Sequence, residues 1–374
     1  MNKIKKIFYI AEIHLPSSRA YTIHVLKMID NLSYFAKKIE LLILNSNSNL
    51  QFSTLKKKFL LSSKKKILIN SVNKKVNNTF NRILFGITSA LYLKKQDGLI
   101  ITRSLYASFF LTIIKKKHFL EIHNELFGFT KFIFIYCRFI ESKFIINVIF
   151  ISNNLAKIFK NYKINALILP DGVEIKNFNK KSKINKNIKN IIYVGSFYQG
   201  RGIDLILKIA KKLKKYNFFL YGKRNDNEIN NLFISNNVKI YNFIDYNKIP
   251  SILKSADLLL MPYSKKNVSI NSKKNNTVKF MSPLKMFEYL ASGVPTLSSN
   301  ILVLKEILIN KYNSIIVKNN TPKAWINEIK RIDNSYQLRS YISANQIKTA
   351  KKNSWFLRSK KIVNQYLIRT NNNL

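Results

Sequence analysis

One cysteine, Cys137, is the whole thiol inventory of the 374-residue chain. It excludes an internal disulfide and a cysteine-built zinc site, and it fits a reducing compartment. Carboxylates are scarce as well: 18 Asp plus Glu stand against 65 Lys plus Arg, a formal net charge of +47. Long clean hydrophobic runs are missing. The most apolar region, 131–151, is interrupted by Lys131, Arg138, Glu141 and Lys143, which leaves no stretch of about 18 uncharged residues to cross a bilayer. The opening MNKIKK leads into a short apolar run ending at Glu12, with no small-residue cleavage site. No signal peptide is therefore expected, and the cytoplasm is the expected location. A repeat of about 20 to 50 residues is also lacking, which excludes a solenoid.

What is present suffices for two globular domains. The length exceeds one compact core. A composition of 47% hydrophobic and 13% aromatic residues supplies apolar surface for two cores, and excludes wholesale disorder and a lone small binding module. Lysine is spread from end to end together with asparagine and isoleucine, and these three share A- and T-rich codons, so genome bias alone would write such a surface. The alternative source of the charge is selection for an anionic membrane surface or an acidic substrate. Nucleic acid is not an expected partner, because no basic stripe with interleaved aromatics occurs.

Short β-rich runs alternate with helical patterns, the signature of parallel α/β sheets. The predicted strands of the first half are Lys6 to Ala11, Ile39 to Leu44, Leu99 to Thr102, Phe119 to Ile122, Val148 to Ile151 and Leu167 to Leu169. Ile23, Leu26, Ile29, Leu32 and Phe35 mark the first helix, and Ser152 reads as an N-cap. Residues 179–190, NKKSKINKNIKN, break the periodicity and read as a linker. Strands then resume at Ile191 to Val194, Phe218 to Tyr221, Val238 to Tyr241, Leu258 to Met261, Thr296 to Leu297 and Ile315 to Val317, with helices beginning near Asp204, Ile249, Pro283 and Pro322. The expected fold class is α/β, two Rossmann-like parallel-sheet domains facing a cleft: domain one over 1–178, domain two over 191–345, and a helical segment over 346–374 that packs back on the first domain. Ligands of such sheets sit beyond the carboxyl ends of the strands.

Three segments at strand ends carry candidate chemistry. In SPLKMFEYLASGVP, 282–295, Ser282 reads as the N-cap of a helix whose first position is Pro283 and which stops at Gly293. Lys285 is out of place in a first turn, where the macrodipole favours anions; a phosphate bound there would resolve the conflict, although an exposed lysine costs little. In YVGSFYQGRGIDLIL, 193–207, a strand runs into Gly195, Gly200 and Gly202. This is neither a Walker loop nor a dinucleotide fingerprint. Arg201 could reach a diphosphate with its planar fork, or be a solvated turn residue. In HFLEIHNE, 118–125, a strand delivers His123 to its end, as a catalytic or a structural histidine.

In this order the segments resemble the retaining glycosyltransferases of family 4, which have the GT-B architecture, from about residue 4 to at least 330. IFYIAEIHLPSSRAYTIHVLKMID is similar to their first strand, acceptor-side loop and first helix, and ITRSLYASFF with FLEIHNE to their catalytic-histidine region. FISNNLAKIFKNYKINALILPDGVEIKNF and ADLLLMPY follow in the family's order. The resemblance implies a nucleotide diphosphate sugar as donor substrate, no cofactor, no metal, and a glycan or lipid-linked acceptor of envelope polysaccharide or lipopolysaccharide synthesis. It assigns His123 and Arg201 to catalysis, the first touching the transferred sugar and the second neutralising the diphosphate. Glu288 becomes the ribose-binding carboxylate, a group that offers only acceptors to two hydroxyls. Leu284 and Lys285 supply phosphate-binding amides, flanked by Ser282 and Pro283, and the donor side also draws on Gly195, Ser196, Arg224 and Ile244. Ser17, Ser18 and Arg19 lie in the acceptor-side loop.

Two positions depart from the family. Phe280 stands where its Glu-x7-Glu motif has the first glutamate, so sugar hydroxyls would be met otherwise, by backbone around Met281 and Ser282. Ser196 stands where many members carry a cation, leaving Arg201 with Arg224 or Lys285. The eight aspartates contain no Asp-x-Asp pair, which argues against a metal-dependent GT-A enzyme. The mechanism implied is front-face transfer with retention, in which the protein positions substrates and stabilises the departing diphosphate. The alternatives are a GT-B nucleotide-sugar 2-epimerase using Glu12, Glu121 or Glu125, a basic nucleic-acid-binding protein, and a catalytically idle homologue. For membrane docking at the inner leaflet the candidate patch is Lys56, Lys57, Lys58, Lys64, Lys65 and Lys66 around Phe59, Leu60 and Leu61.

Overall fold

The computed structural model describes residues 3–46, 50–72, 78–178, 184–223, 234–268 and 276–371. They form two units, one of Met1–Pro170 with Trp355–Leu374 and one of Asp171–Ser354. In chain order the first unit runs β1 (Ile4–Leu15), α1 (Ala20–Leu32), β2 (Ala36–Ser46), α2 (Phe52–Phe59), β3 (Ile67–Ser71), α3 (Thr79–Leu93), β4 (Leu99–Thr102), α4 (Leu105–Ile113), β5 (His118–Ile122), α5 (Gly128–Lys131), β6 (Ile145–Phe150), α6 (Asn153–Lys157) and β7 (Ala166–Ile168). The second runs β8 (Asn190–Val194), α7 (Ile203–Lys212), β9 (Asn217–Tyr221), β10 (Val238–Tyr241), α8 (Ile249–Lys254), β11 (Leu258–Met261), α9 (Leu284–Ser292), β12 (Thr296–Ser299), β13 (Ile315–Val317), α10 (Pro322–Asp333) and α11 (Tyr336–Lys352). A final helix, α12 (Trp355–Asn371), returns to the first unit.

Both sheets are parallel, ordered β3-β2-β1-β4-β5-β6-β7 and β10-β9-β8-β11-β12-β13. Each is a Rossmann-like sheet whose order reverses at its first strand, β1 against β4 and β8 against β11, which opens the crevice where such sheets receive ligands. Alternate residues of a strand face opposite ways. Along β8, Ile191 and Tyr193 enter one core with α7 and Trp325, while Ile192 and Val194 enter the other with Phe287 and Leu290 of α9. A sheet covered on both faces needs apolar residues at consecutive positions, which is why these strands read as unbroken runs.

The predicted boundaries move in three places. Residues 184–190, read as linker, are held within the second unit: Asp333 accepts from the Ile188 amide, Asp257 from the Lys189 and Asn190 amides, and buried Arg339 donates to the carbonyls of Asn185 and Lys186. Residues 171–178, assigned to the first domain, belong to the second unit. The single helical stretch over 346–370 is two helices, interrupted where the Asn353 carbonyl accepts from the Val173 amide.

The lysine-rich docking patch is not what its sequence suggests. Phe59 and Leu61 are core residues. Buried Asp30 accepts from the amides of Ser62 and Ser63, Lys27 donates to the Leu60 carbonyl, and the Lys65 ammonium is tied to the Ala36 carbonyl. The segment is stitched onto α1 and the start of β2, and Phe59 and Leu61 are out of reach of a bilayer.

A buried histidine sets a pH limit on the first unit. His118 Nδ1 lies 3.0 Å from the Lys116 carbonyl and Nε2 2.7 Å from Ser108 Oγ. The carbonyl can only accept, so Nδ1–H donates and Nε2 accepts, as in the neutral ring. Burial lowers its pKa to about 4. With the folded value below the unfolded one near 6.5, its contribution is present above about pH 6.5 and is lost as pH falls towards 4, roughly 3 kcal/mol in all. The urea midpoint should drop across this window and drop less in His118→Gln; identical pH slopes in both proteins would remove His118 as the cause.

Candidate functional site

In the second unit the loops after β8, β9 and β11 converge at one edge of the sheet. The Lys285 ammonium, from the first turn of α9, is buried 4.0 Å from the Tyr193 ring centroid and 4.7 Å from that of Tyr263. It has no hydrogen-bond partner among the described residues. The Arg201 guanidinium lies 5.2 Å from the Tyr263 ring. Burial first, and then the neighbouring Arg201 charge, hold Lys285 well below the usual lysine range. Two cations thus share an aromatic box, stabilised by ring faces and destabilised by each other. An anion between them would relieve both burial and repulsion.

The backbone is shaped for close approach. Gly195 has φ +153°, which residues with a Cβ rarely adopt, and a Cβ there would also come 2.8 Å from Lys285 Nζ. Gly202 has φ +79° and a Cβ there would strike the Pro262 carbonyl at 2.0 Å; it caps α7 and presents Arg201. The Ser196 carbonyl accepts from the Tyr193 hydroxyl.

Helix α9 starts differently from its sequence reading. Pro283 is the N-cap and no side chain caps the helix. Ser282 Oγ is instead committed 2.9 Å from the Asp171 amide. The first-turn amides of Leu284 and Lys285 therefore begin a helix without a side-chain cap, an arrangement that suits a bound anion. One turn on, buried Glu288 is hydrogen-bonded by Tyr246, whose own hydroxyl is pushed well above the usual tyrosine range by burial and then by Glu288. Ile244 is half-buried against the same core. Arg224 lies outside the described residues. Phe280 is a core side chain, and the amides of Phe280 and Met281 both donate to the Thr277 carbonyl. The Met281 amide is thus spent, contrary to the expectation that it would meet sugar hydroxyls.

In the first unit, Ser17, Ser18 and Arg19 follow β1 and His123 follows β5, at the same carboxyl edge of the parallel sheet. Ser17 Oγ accepts from the Arg19 amide, and the Arg19 side chain is exposed. His123 Nε2 lies 2.7 Å from Glu121 Oε1. The same oxygen is 2.8 Å from His24 Nε2 and 2.7 Å from Arg358 Nη2, while Oε2 accepts from Tyr9 at 2.8 Å. The His24 ring stands edge-on to both His123 and Trp355. Arg358 also donates to the Pro170 carbonyl. Glu121 is held well below the usual carboxylate range: burial opposes this, and Arg358, His24 and His123 overcome it. Burial, followed by the Arg103 charge, lowers His123 to about 3. The ring is therefore neutral at physiological pH, donates Nε2–H to Glu121, and keeps Nδ1 as an acceptor.

His24, Glu121 and His123 have ligand atoms within 4.8 Å of one another, as in a metal site. Arg358 already compensates the carboxylate, and its fixed charge opposes a dication at that point. Four members of the cluster escaped the sequence reading as site residues. Glu121 entered only as an alternative base, and Tyr9, His24 and Arg358 not at all, since partners up to 237 residues apart leave no spacing pattern. One signal was available: His24 sits in the apolar face of α1.

Residues 174–349 match the family model described as Glycosyl transferases group 1. The matched stretch takes in most of the second unit, which is thus similar to group 1 glycosyltransferase domains. An uncharacterized glycosyltransferase of Methanocaldococcus jannaschii is 23% identical over 241 residues, which is 63% of this chain and 62% of that protein. The chain thus spans somewhat under two thirds of this relative's length. Among solved structures, a glycosyltransferase from Rickettsia africae superposes with a TM-score of 0.71 at 17% identity, covering 98% of both chains. Alr3699/HepE of Anabaena, in complex with UDP-glucose, gives a TM-score of 0.71 at 13% identity over 96% of this chain and 99% of its own. The fold is that of the GT-B glycosyltransferases. No helix among the described residues is long and apolar enough to cross a membrane.

Proposed function

We propose that the chain is a retaining, metal-independent hexosyltransferase of the family 4 type. It takes a nucleotide diphosphate sugar as donor and a glycan or lipid-linked acceptor of the cell envelope, and works from the cytoplasmic side. The carrying observation is the pair Lys285 and Arg201, both beside the Tyr263 ring, with Lys285 in the first turn of a helix that has no side-chain cap. A diphosphate fits that charge and those donors, and becomes a better ligand as negative charge develops on it when the sugar departs. Glu288, oriented by Tyr246, is suited to ribose hydroxyls. His123 is assigned the transferred sugar, its Nδ1 accepting from a hydroxyl. The UDP-glucose complex of the Anabaena neighbour supports a nucleotide-sugar donor. The epimerase alternative loses two of its carboxylates: Glu121 is engaged by Arg358, and Glu12 by Arg82 and Ser104.

The deciding experiment incubates the chain with a panel of nucleotide sugars and envelope lipid extract in EDTA, with products weighed by mass spectrometry and the anomeric configuration read by NMR. A retained glycosidic product is expected. An inverted product, a requirement for manganese, or a free 2-epimer would overturn the proposal.

Glu288→Gln keeps the shape but removes one charged hydrogen-bond partner, worth about 1.5 to 3 kcal/mol. Donor affinity by calorimetry should fall roughly ten- to hundredfold with the fold intact. Unchanged affinity would take Glu288 out of the site.

A further inference from the structure

The first unit exposes large aromatic side chains on one short segment. Phe127, Phe129, Phe132 and Tyr136, spanning α5 and the π-helical turn that continues it, are 64%, 64%, 56% and 68% exposed. The segment is anchored from beneath: Phe134 is buried, and Phe129 and Ile133 share an apolar hollow with Ile83 of α3 and Phe109 of α4. Phe80, one turn before Ile83, is 69% exposed. The Phe132 and Tyr136 rings lie 6.4 Å apart, and such a concentration of exposed aromatic rings on one short segment marks a docking face. Its charge selects the occupant. Lys131 and Lys143 are exposed on or beside the segment, and Glu141 is taken by Arg138. A second copy would bring two surfaces of a chain with net charge +47 together, whereas an anionic bilayer attracts that charge and accepts aromatic rings at headgroup depth.

We infer that Phe127–Tyr136 is a membrane-docking surface for anionic phospholipid. It replaces the lysine-rich segment 56–66, whose Phe59 and Leu61 are in the core. The inference is independent of the transfer reaction, because binding is measured with no nucleotide sugar present.

The test is flotation of the full chain with phosphatidylcholine vesicles with and without phosphatidylglycerol. The native protein should float with the anionic vesicles at low salt and release as salt rises. The triple variant Phe127→Ser, Phe132→Ser, Tyr136→Ser should bind roughly tenfold or more weakly, while glutamine at the six lysines of 56–66 should not abolish binding. The replaced rings are exposed, so the thermal midpoint should hold. In Phe132→Trp, emission should shift to the blue and be quenched by brominated lipid on adding vesicles, a reading that needs no truncation of the surface. Native protein that ignores anionic vesicles, a triple variant that floats like the native chain, or a concentration-dependent dimer dissolved by the triple variant without change in lipid binding would each overturn the inference.

Discussion

Glu121→Ala should lower the stability of the first unit by about 3 to 5 kcal/mol, the cost of leaving a buried charge without its partner. The stranded group is Arg358, which is buried and has its guanidinium 2.7 Å from the carboxylate. His123 and the Tyr9 hydroxyl lose an acceptor at the same time, and His24 Nε2 loses the carboxylate oxygen 2.8 Å away. Because the cluster acts as one, the double variant Glu121→Ala, Arg358→Met should be less destabilised than the sum of the single changes. Thermal melting of the four proteins measures this. Additive losses, or a Glu121→Ala protein that melts with the native one, would mean the network is an accident of packing. Acid should act in the same direction. The folded pKa of Glu121 is depressed, so its contribution is present above the unfolded carboxylate value of about 4.3 and disappears as pH falls through the folded one.

His123→Ala should lower kcat roughly a hundredfold, as expected when a preorganised contact to the reacting sugar is removed. Nucleotide affinity should stay within about twofold, since the loss belongs to the transition state and not to uniform binding. His123→Asn, which retains an acceptor, should recover part of the rate. Equal losses in kcat and in affinity for the nucleotide alone would make His123 a structural residue. Because the Nδ1 acceptor exists in the neutral ring, held by a pKa of about 3, no kcat transition belonging to His123 is expected between about pH 5 and 8.

The sequence was most legible where local physics decides. β4, β11 and β13 coincide with their predicted ranges because buried parallel strands need unbroken apolar runs; edge strand β10, which buries only Val238, coincides through the alternation of Val238 and Ile240 with Lys239 and Tyr241. β3 was missed: at the sheet edge Ile67–Ser71 buries only Ile67 and ends in Asn70 and Ser71, which weakens the apolar signal. Lys285 stood out as a cation in a first turn. The rings that enclose it come from β8 (Tyr193) and from the loop after β11 (Tyr263), and no spacing connects them. Ser282 carried the correct N-cap chemistry, but tertiary structure gave its hydroxyl to Asp171. The lysine run 56–66 misled for a similar reason, since composition reports charge and says nothing of which apolar neighbours the core takes.

Arg358 belongs to a helix that rejoins the first unit after the whole of the second has been traversed. During synthesis, the seven-stranded sheet emerges with Glu121 and His24 in place but without the guanidinium that balances them, and stays so while 184 further residues, Asp171–Ser354, are added. The second unit is contiguous in the chain and can finish first; the first is complete only with the closing residues. A chain released early would thus carry an intact second unit and a first unit with an unbalanced buried carboxylate, a state open to proteolysis.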